Sequence, residues 1–161
     1  MEAAQVKVMF VCLGNICRSP MAEALFRHKL QERGLNTQVA VVSSGTGAYH
    51  VGENADRRTI STLREHGIDY THSAQQFKEH HLVECDYILA MDRSNREDIL
   101  HLALSEQKSK ISLMLSHGTN TSLRDVPDPY YGGADGFEKV YNLLDDALEG
   151  FLVKLVKEHQ L

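Results

Sequence analysis

Apolar positions along the chain recur with two different periods. The run from Val6 to Val11 is continuous, rich in valine and interrupted by one lysine, which predicts a strand buried on both faces. Met21, Leu25, Phe26, the stem of Lys29 and Leu30 then recur at three- and four-residue spacing. That spacing predicts a helix with Ser19 as N-cap, Pro20 at its first position and Gly34 as its stop. A second strand is expected over Gln38 to Ser43, a helix from Asp56 to His66 ended by Gly67, and a short helical segment over Phe77 to Val83. Tyr87 to Met91 reads as the third strand, feeding a helix that starts between Asp92 and Ser94 and fades near Leu104. Ile111 to Leu115 reads as the fourth. The polar stretch from Ser116 to Gly136 is long, and loops of that length are more often functional than idle. Beyond it, Val140, Leu143, Leu144, Ala147, Leu148, Phe151, Leu152 and Leu155 mark a long amphipathic helix over Phe137 to Lys157.

Strands alternating with helices define an α/β fold: one three-layer domain over residues 1–161, a four-stranded parallel sheet with helices on both faces. Ligands of such sheets sit at the carboxyl ends of the strands. The segments reaching that edge start at Cys12, Ser43, Met91 and Ser116. With 161 residues, 42% hydrophobic and 24% charged, the chain has enough apolar surface for one core. Its net charge of −5 and scattered basic residues argue against a nucleic-acid partner. No apolar stretch approaches the roughly 18 residues of a membrane span, and no basic n-region precedes the first strand. Three cysteines, Cys12, Cys17 and Cys85, form no paired C-x-x-C spacing, so a reducing compartment is expected, with the cytoplasm as default. A monomer is the default expectation.

The chemistry concentrates between the first strand and the first helix, in Cys12-Leu13-Gly14-Asn15-Ile16-Cys17-Arg18-Ser19-Pro20. Five residues between Cys12 and Arg18 let the backbone curl and aim successive N–H groups inward as an anion nest. Gly14 and Asn15 tolerate the left-handed turns that such a curl requires. The helix start adds partial positive charge, and Arg18 supplies a planar fork for two phosphate oxygens. The same field favours a thiolate on Cys12 without a histidine base. Ser19 can donate to that sulfur and ease its departure in a second step. A nucleophile and a phosphate cradle in one loop make a phosphotransfer site. No lysine stands in the loop, so it is not a Walker motif, and Gly45, Gly47 and Gly52 miss the dinucleotide spacing.

Val11 to Glu23, VCLGNICRSPMAE, resembles the signature of the low-molecular-weight protein tyrosine phosphatases, and chain length and element order fit that family from end to end. The resemblance implies a phosphotyrosine hydrolase working through a cysteinyl-phosphate on Cys12, with tyrosine-phosphorylated proteins as substrates and inorganic phosphate or vanadate as inhibitors. It also implies a general acid in an Asp-Pro-Tyr segment. In Asp125-Val126-Pro127-Asp128-Pro129-Tyr130-Tyr131 this falls on Asp128, acid in the first step and base in the second, with Asp125 as the alternative. Prolines on each side of Asp128 hold its backbone extended. Tyr130 and Tyr131 match an adjacent pair that flanks the family's site and can itself be phosphorylated; ordinary aromatic packing is the plainer alternative. Tyr49 matches a variable wall position, with a loop anchor as the alternative. Ser43 and His72 match positions that support the phosphate loop by hydrogen bonds. Cys17 can form a reversible disulfide with oxidised Cys12, or pack behind the loop.

Rival readings remain at this point. A protein arginine phosphatase shares the mechanism, but in the resemblance that activity goes with a small polar residue where Ile16 stands, and isoleucine suits an aryl ring. An arsenate reductase needs a downstream cysteine relay, which Cys85 alone does not supply. A non-catalytic phosphate-binding module would lack the nucleophile or the acid. The nine histidines, His80 and His81 adjacent among them, form no zinc spacing, so neither metal nor organic cofactor is expected.

Overall fold

In the computed structural model, which describes residues 4–120 and 122–161, strand β1 (Val6–Cys12) runs through the middle of the sheet. It pairs in parallel with β2 (Val39–Gly45) on one side and β3 (Tyr87–Ala90) on the other, and β3 pairs with β4 (Ile111–Leu113). The order is therefore β2-β1-β3-β4. The chain leaves β1 for one neighbour and later returns to fill the other side. This makes the β1–β3 boundary the switch point where α/β sheets bind ligands.

The side chains of β1 divide between two cores. Val6, Val8 and Phe10 face α1 (Arg18–Glu32), α2 (Arg57–Glu65) and α5 (Ala134–His159), where Phe26, Leu148 and Phe151 are buried. Met9 and Val11 face the layer of α3 (Glu79–Glu84) and α4 (Arg93–Leu102), with Leu82, Ile88 and Ile99. A strand buried on both faces cannot show polar alternation, which is why Val6 to Val11 reads as one apolar run.

Several boundaries differ from the sequence expectation. Helix α1 starts at Arg18 with Cys17 in the N-cap position, so Ser19 lies inside the first turn and does not cap it. Its hydroxyl is engaged by the cysteine loop instead. Strand β4 stops at Leu113, and Met114–His117 coil into a 3-10 turn beneath α5. A further 3-10 segment, Ser105–Lys110, precedes β4. Helix α5 begins at Ala134, three residues earlier than its apolar stripe predicts. Apolar periodicity reports only the buried part of a helix, not its polar first turn. Gly34 and Gly67 follow α1 and α2 with φ of +70° and +79°, as helix-stopping glycines do.

The 3-10 turn after β4 carries a titration-linked packing contact. The His117 ring meets Phe151 edge-on at 5.1 Å and its Nε2 lies 3.0 Å from Ser112 Oγ. Burial pushes the imidazole down from 6.5 to about 4, with Lys154 adding to the effect and Glu158 opposing it. The native state thus binds fewer protons than the unfolded chain below pH 6.5. Stability is complete above 6.5 and falls as pH drops towards 4, by up to about 3 kcal/mol from this one group. In urea titrations across that window, His117→Gln is expected to show a shallower acid loss than the parent chain. An unchanged slope would assign the acid loss to other groups.

Candidate active site

The loop following β1 curls back over the carboxyl edge of the sheet because neighbouring backbone holds it there. Thr46 N donates to Cys12 O and Gly47 N to Leu13 O, both at 2.9 Å. A Cβ at Gly45 would lie 2.7 Å from Leu13 O, so β2 must present a glycine for the loop to pass. Asn15 takes the left-handed turn at φ 58°; Gly14 does not, contrary to expectation, and is instead packed under His50. Among the described residues, the N–H groups of Leu13, Gly14, Ile16, Cys17 and Arg18 donate to no carbonyl or side chain. Unpartnered amides converging at a helix start form an anion nest.

Cys12 is 3% exposed at the floor of this curl. Its sulfur lies 3.0 Å from Ser19 Oγ and accepts the Asn15 N–H at 3.3 Å. Arg18 is equally buried. Its Nη1 donates to Asp92 Oδ2 at 2.7 Å and to Val126 O at 2.9 Å, while Nη2 lies 3.8 Å from Asp128 Oδ2. Burial opposes the guanidinium charge, but Cys12, Asp92 and Asp128 outweigh it and raise the Arg18 pKa. The fork is thus fixed in direction and permanently cationic.

Beneath the loop lies a polar network. Asn15 Nδ2 donates to Ser19 Oγ at 2.8 Å and to Ser43 Oγ at 3.0 Å. Its Oδ1 accepts from Gln75 N and from His72 Nε2, each at 3.0 Å. Ser43 donates in turn to Glu23 Oε1 at 2.9 Å. Tyr70 OH donates to the other Glu23 oxygen and lies 2.7 Å from His72 Nδ1. Ser43 and His72 both reach the loop through the Asn15 side chain. Glu23, Tyr70 and Gln75 were not anticipated. Glu23 had a signal, since it lies one helical turn beyond Ser19 on the same face of α1.

The curl opens into a cleft of about 410 Å³. Cys12, Leu13, Gly14, Ile16, Cys17 and Arg18 form its inner wall, and Tyr49, His50, Asp128, Tyr130 and Tyr131 its mouth. Ile16 is nearly buried, whereas Tyr131 is 92% exposed and meets Tyr130 edge-on at 4.9 Å. Tyr49 is largely exposed. Its ring lines the cleft, and it lies so close over Gly47 that a Cβ there would be 2.3 Å from it. Cys17 lines the cleft as a protonated thiol, since burial, followed by Asp56, Cys12 and Asp128, pushes it up to about 12.

Of the two candidate acids, only Asp128 reaches the cleft. Asp125 is bound by Arg93, whose backbone N–H and guanidinium both donate to it, at 2.9 and 3.0 Å. The Arg93 guanidinium holds the Asp125 carboxyl below its ordinary range. Asp92, which aims Arg18, was seen in the sequence only as a helix start. It performs that role too, its Oδ1 accepting Asn95 N at 2.7 Å. Ser116, expected at the ligand edge, instead lies in the 3-10 turn and donates to Leu113 O. Among the described residues no three His, Cys, Asp or Glu side chains group to hold a metal ion, and no helix is long and apolar enough to cross a membrane.

Fold and loop together define an α/β protein with an anion cradle at the switch point of its sheet. The family model described as low molecular weight phosphotyrosine protein phosphatase matches residues 7–161, and the chain belongs to this family. A Schizosaccharomyces pombe protein named low molecular weight phosphotyrosine protein phosphatase is 42% identical over 148 residues, covering 91% of this chain and 95% of its own. The crystal structure of a protein tyrosine phosphatase from Entamoeba histolytica superposes with a TM-score of 0.91 at 38% identity, covering 97% of this chain and 99% of that one. A Drosophila arginine phosphatase superposes with a TM-score of 0.87 at 34% identity, covering 93% and 98%.

Proposed function

We propose that the chain acts as one phosphatase domain over residues 1–161, hydrolysing phosphotyrosine in proteins through a phosphocysteine on Cys12. The observation that carries this reading is the Cys12 sulfur at the foot of a nest of unpartnered amides, with Arg18 and Asp128 in the same cleft. In the first step Cys12 Sγ attacks phosphorus, and the bond to the phenol oxygen breaks. Asp128, in its acid form, gives that oxygen its proton, and tyrosine leaves. In the second step Asp128 takes a proton from water, whose oxygen attacks phosphorus. The P–S bond breaks, with Ser19 Oγ at 3.0 Å donating to the departing sulfur, and inorganic phosphate is released. Arg18 and the loop amides carry the charge on the equatorial oxygens throughout, so no metal or organic cofactor is required. Inorganic phosphate and vanadate are the expected inhibitors.

Phosphotyrosine is favoured over phosphoarginine by Ile16 beside the nucleophile and by the aromatic mouth of Tyr49, Tyr130 and Tyr131. Arsenate reduction is disfavoured because Cys85 is buried in the opposite core, with its thiol pushed up to about 11 by burial. A monomer is the expected form, and three free, buried cysteines agree with a reducing cytoplasm. Phosphate release from phosphotyrosine and phosphoarginine peptides, with Cys12→Ser as the blank, tests the reading. At least about tenfold preference for phosphotyrosine in kcat/KM is expected from the shape and chemistry of the cleft. Preference for phosphoarginine would keep the mechanism and overturn the substrate.

A further inference from the structure

The segment carrying Asp128 is fastened at both ends, and its downstream fastening takes no part in the reaction as derived above. Upstream, Val126 N donates to Met91 O at 2.8 Å, and Arg93 grips Asp125. Downstream the fastening is one side chain, Arg58 of α2. Its Nη2 donates to Tyr130 O at 3.0 Å and its Nη1 to Gly132 O at 3.4 Å. The same guanidinium holds both oxygens of Asp56, through Nε and Nη2 at 3.0 Å each, and lies 4.5 Å over the Phe137 ring. Asp56 N in turn donates to Ile16 O at 2.8 Å, inside the cysteine loop. At the other end of the chain of contacts, Tyr130 N donates to Asp128 Oδ1 at 3.0 Å.

These contacts make a continuous path from the nucleophile's loop to the acid: Ile16 carbonyl, Asp56, Arg58, Tyr130 backbone, Asp128. We propose that Arg58 is a positioning residue for proton transfer, setting the height of Asp128 relative to Cys12 through the Tyr130 backbone, whose carbonyl it holds and whose N–H meets Asp128. With Oδ1 occupied by Tyr130 N–H, Oδ2 is the oxygen left to carry the proton to the departing phenol. Oδ2 is also the oxygen nearest Arg18 Nη2. A planar fork is needed because Arg58 must satisfy a carboxylate on one side and two carbonyls on the other, which an ammonium cannot do in fixed directions. The inference rests on Asp128 being the general acid.

The test measures kcat/KM for aryl phosphates whose phenols range from strongly acidic to tyrosine-like. It compares wild type, Arg58→Ala, Arg58→Lys and Asp128→Asn, with the vanadate inhibition constant of each as a readout of the anion cradle. Arg58→Ala is expected to lose about 10- to 100-fold on the tyrosine-like ester, less than about twofold on the most acidic phenol, and less than about twofold in vanadate affinity. Arg58→Lys is expected to share most of that selective loss, keeping the charge without the fork. An equal loss across the series, a matching loss in vanadate affinity, or no loss would overturn the role of Arg58. If Asp128→Asn itself loses equally across the series, the acid assignment falls and the inference with it. A steep Asp128→Asn series beside flat Arg58 series removes the positioning role alone.

Discussion

Cys12→Ser is expected to abolish turnover while leaving the anion cradle able to bind vanadate. The hydroxyl replaces the one atom that bonds to phosphorus, and serine does not ionise near neutral pH. Among the described residues no histidine is hydrogen-bonded to the sulfur; its partners are Ser19 Oγ and the Asn15 N–H. Loss of a nucleophile without a substitute route costs at least about 10⁴-fold in kcat. Vanadate binding is expected to persist because it draws on Arg18, which Asp92 and Val126 aim without the sulfur, and on loop amides held through the Asn15 side chain by Ser43, His72 and Gln75. Trapping a ³²P-labelled phosphocysteine in wild type but not in Cys12→Ser would complete the case. Retention of more than about a tenth of wild-type kcat in the variant would remove Cys12 as nucleophile.

Asp128→Asn is expected to separate good leaving groups from poor ones. The amide keeps the size and the hydrogen bond from Tyr130 N, but it has no proton to deliver to the phenol oxygen. Esters of phenols with tyrosine-like pKa should lose about 10²–10⁴-fold in kcat/KM, whereas esters of strongly acidic phenols depart unaided. Water activation in the second step should also slow, so added alcohols, which can replace water as acceptor, should not restore the rate. Asp125→Asn is the control. Arg93 holds that carboxylate outside the cleft, and its loss is expected to move the leaving-group dependence far less. Equal losses across the phenol series for Asp128→Asn would mean that the proton comes from elsewhere.

The fold was legible where burial imposes a period. A strand packed on both faces reads as an apolar run, and the stripe of α5 reads at helical spacing because one face is buried against α1 and α2. The reading failed where a residue's partner is distant in sequence. Ser19 has the chemistry of an N-cap, but its hydroxyl is claimed by Cys12 and by the Ser44 carbonyl, which it meets at 3.3 Å. Asp92 reads correctly as the cap of α4, yet its other oxygen aims Arg18, which is 74 residues away. Local propensity cannot register a second, non-local demand on the same side chain.

Cys12, Arg18 and the loop between them were legible in the sequence, because the nucleophile, the turn residues and the helix start stand within nine residues, but the curl itself rests on backbone bonds from Thr46 and Gly47. The parallel α/β architecture followed equally from alternating periods. Tertiary structure decided which carboxylate meets that loop. Asp125 and Asp128 sit three positions apart in the same polar segment, and Arg93 holds Asp125 away from the cleft that Asp128 lines. It also decided what lies beneath the loop, where Glu23 of α1 and the segment between α2 and α3 that carries Tyr70 and Gln75 come together. The physical reason is that a buried polar group must be satisfied wherever the fold happens to bring a partner, and no sequence period encodes such a meeting.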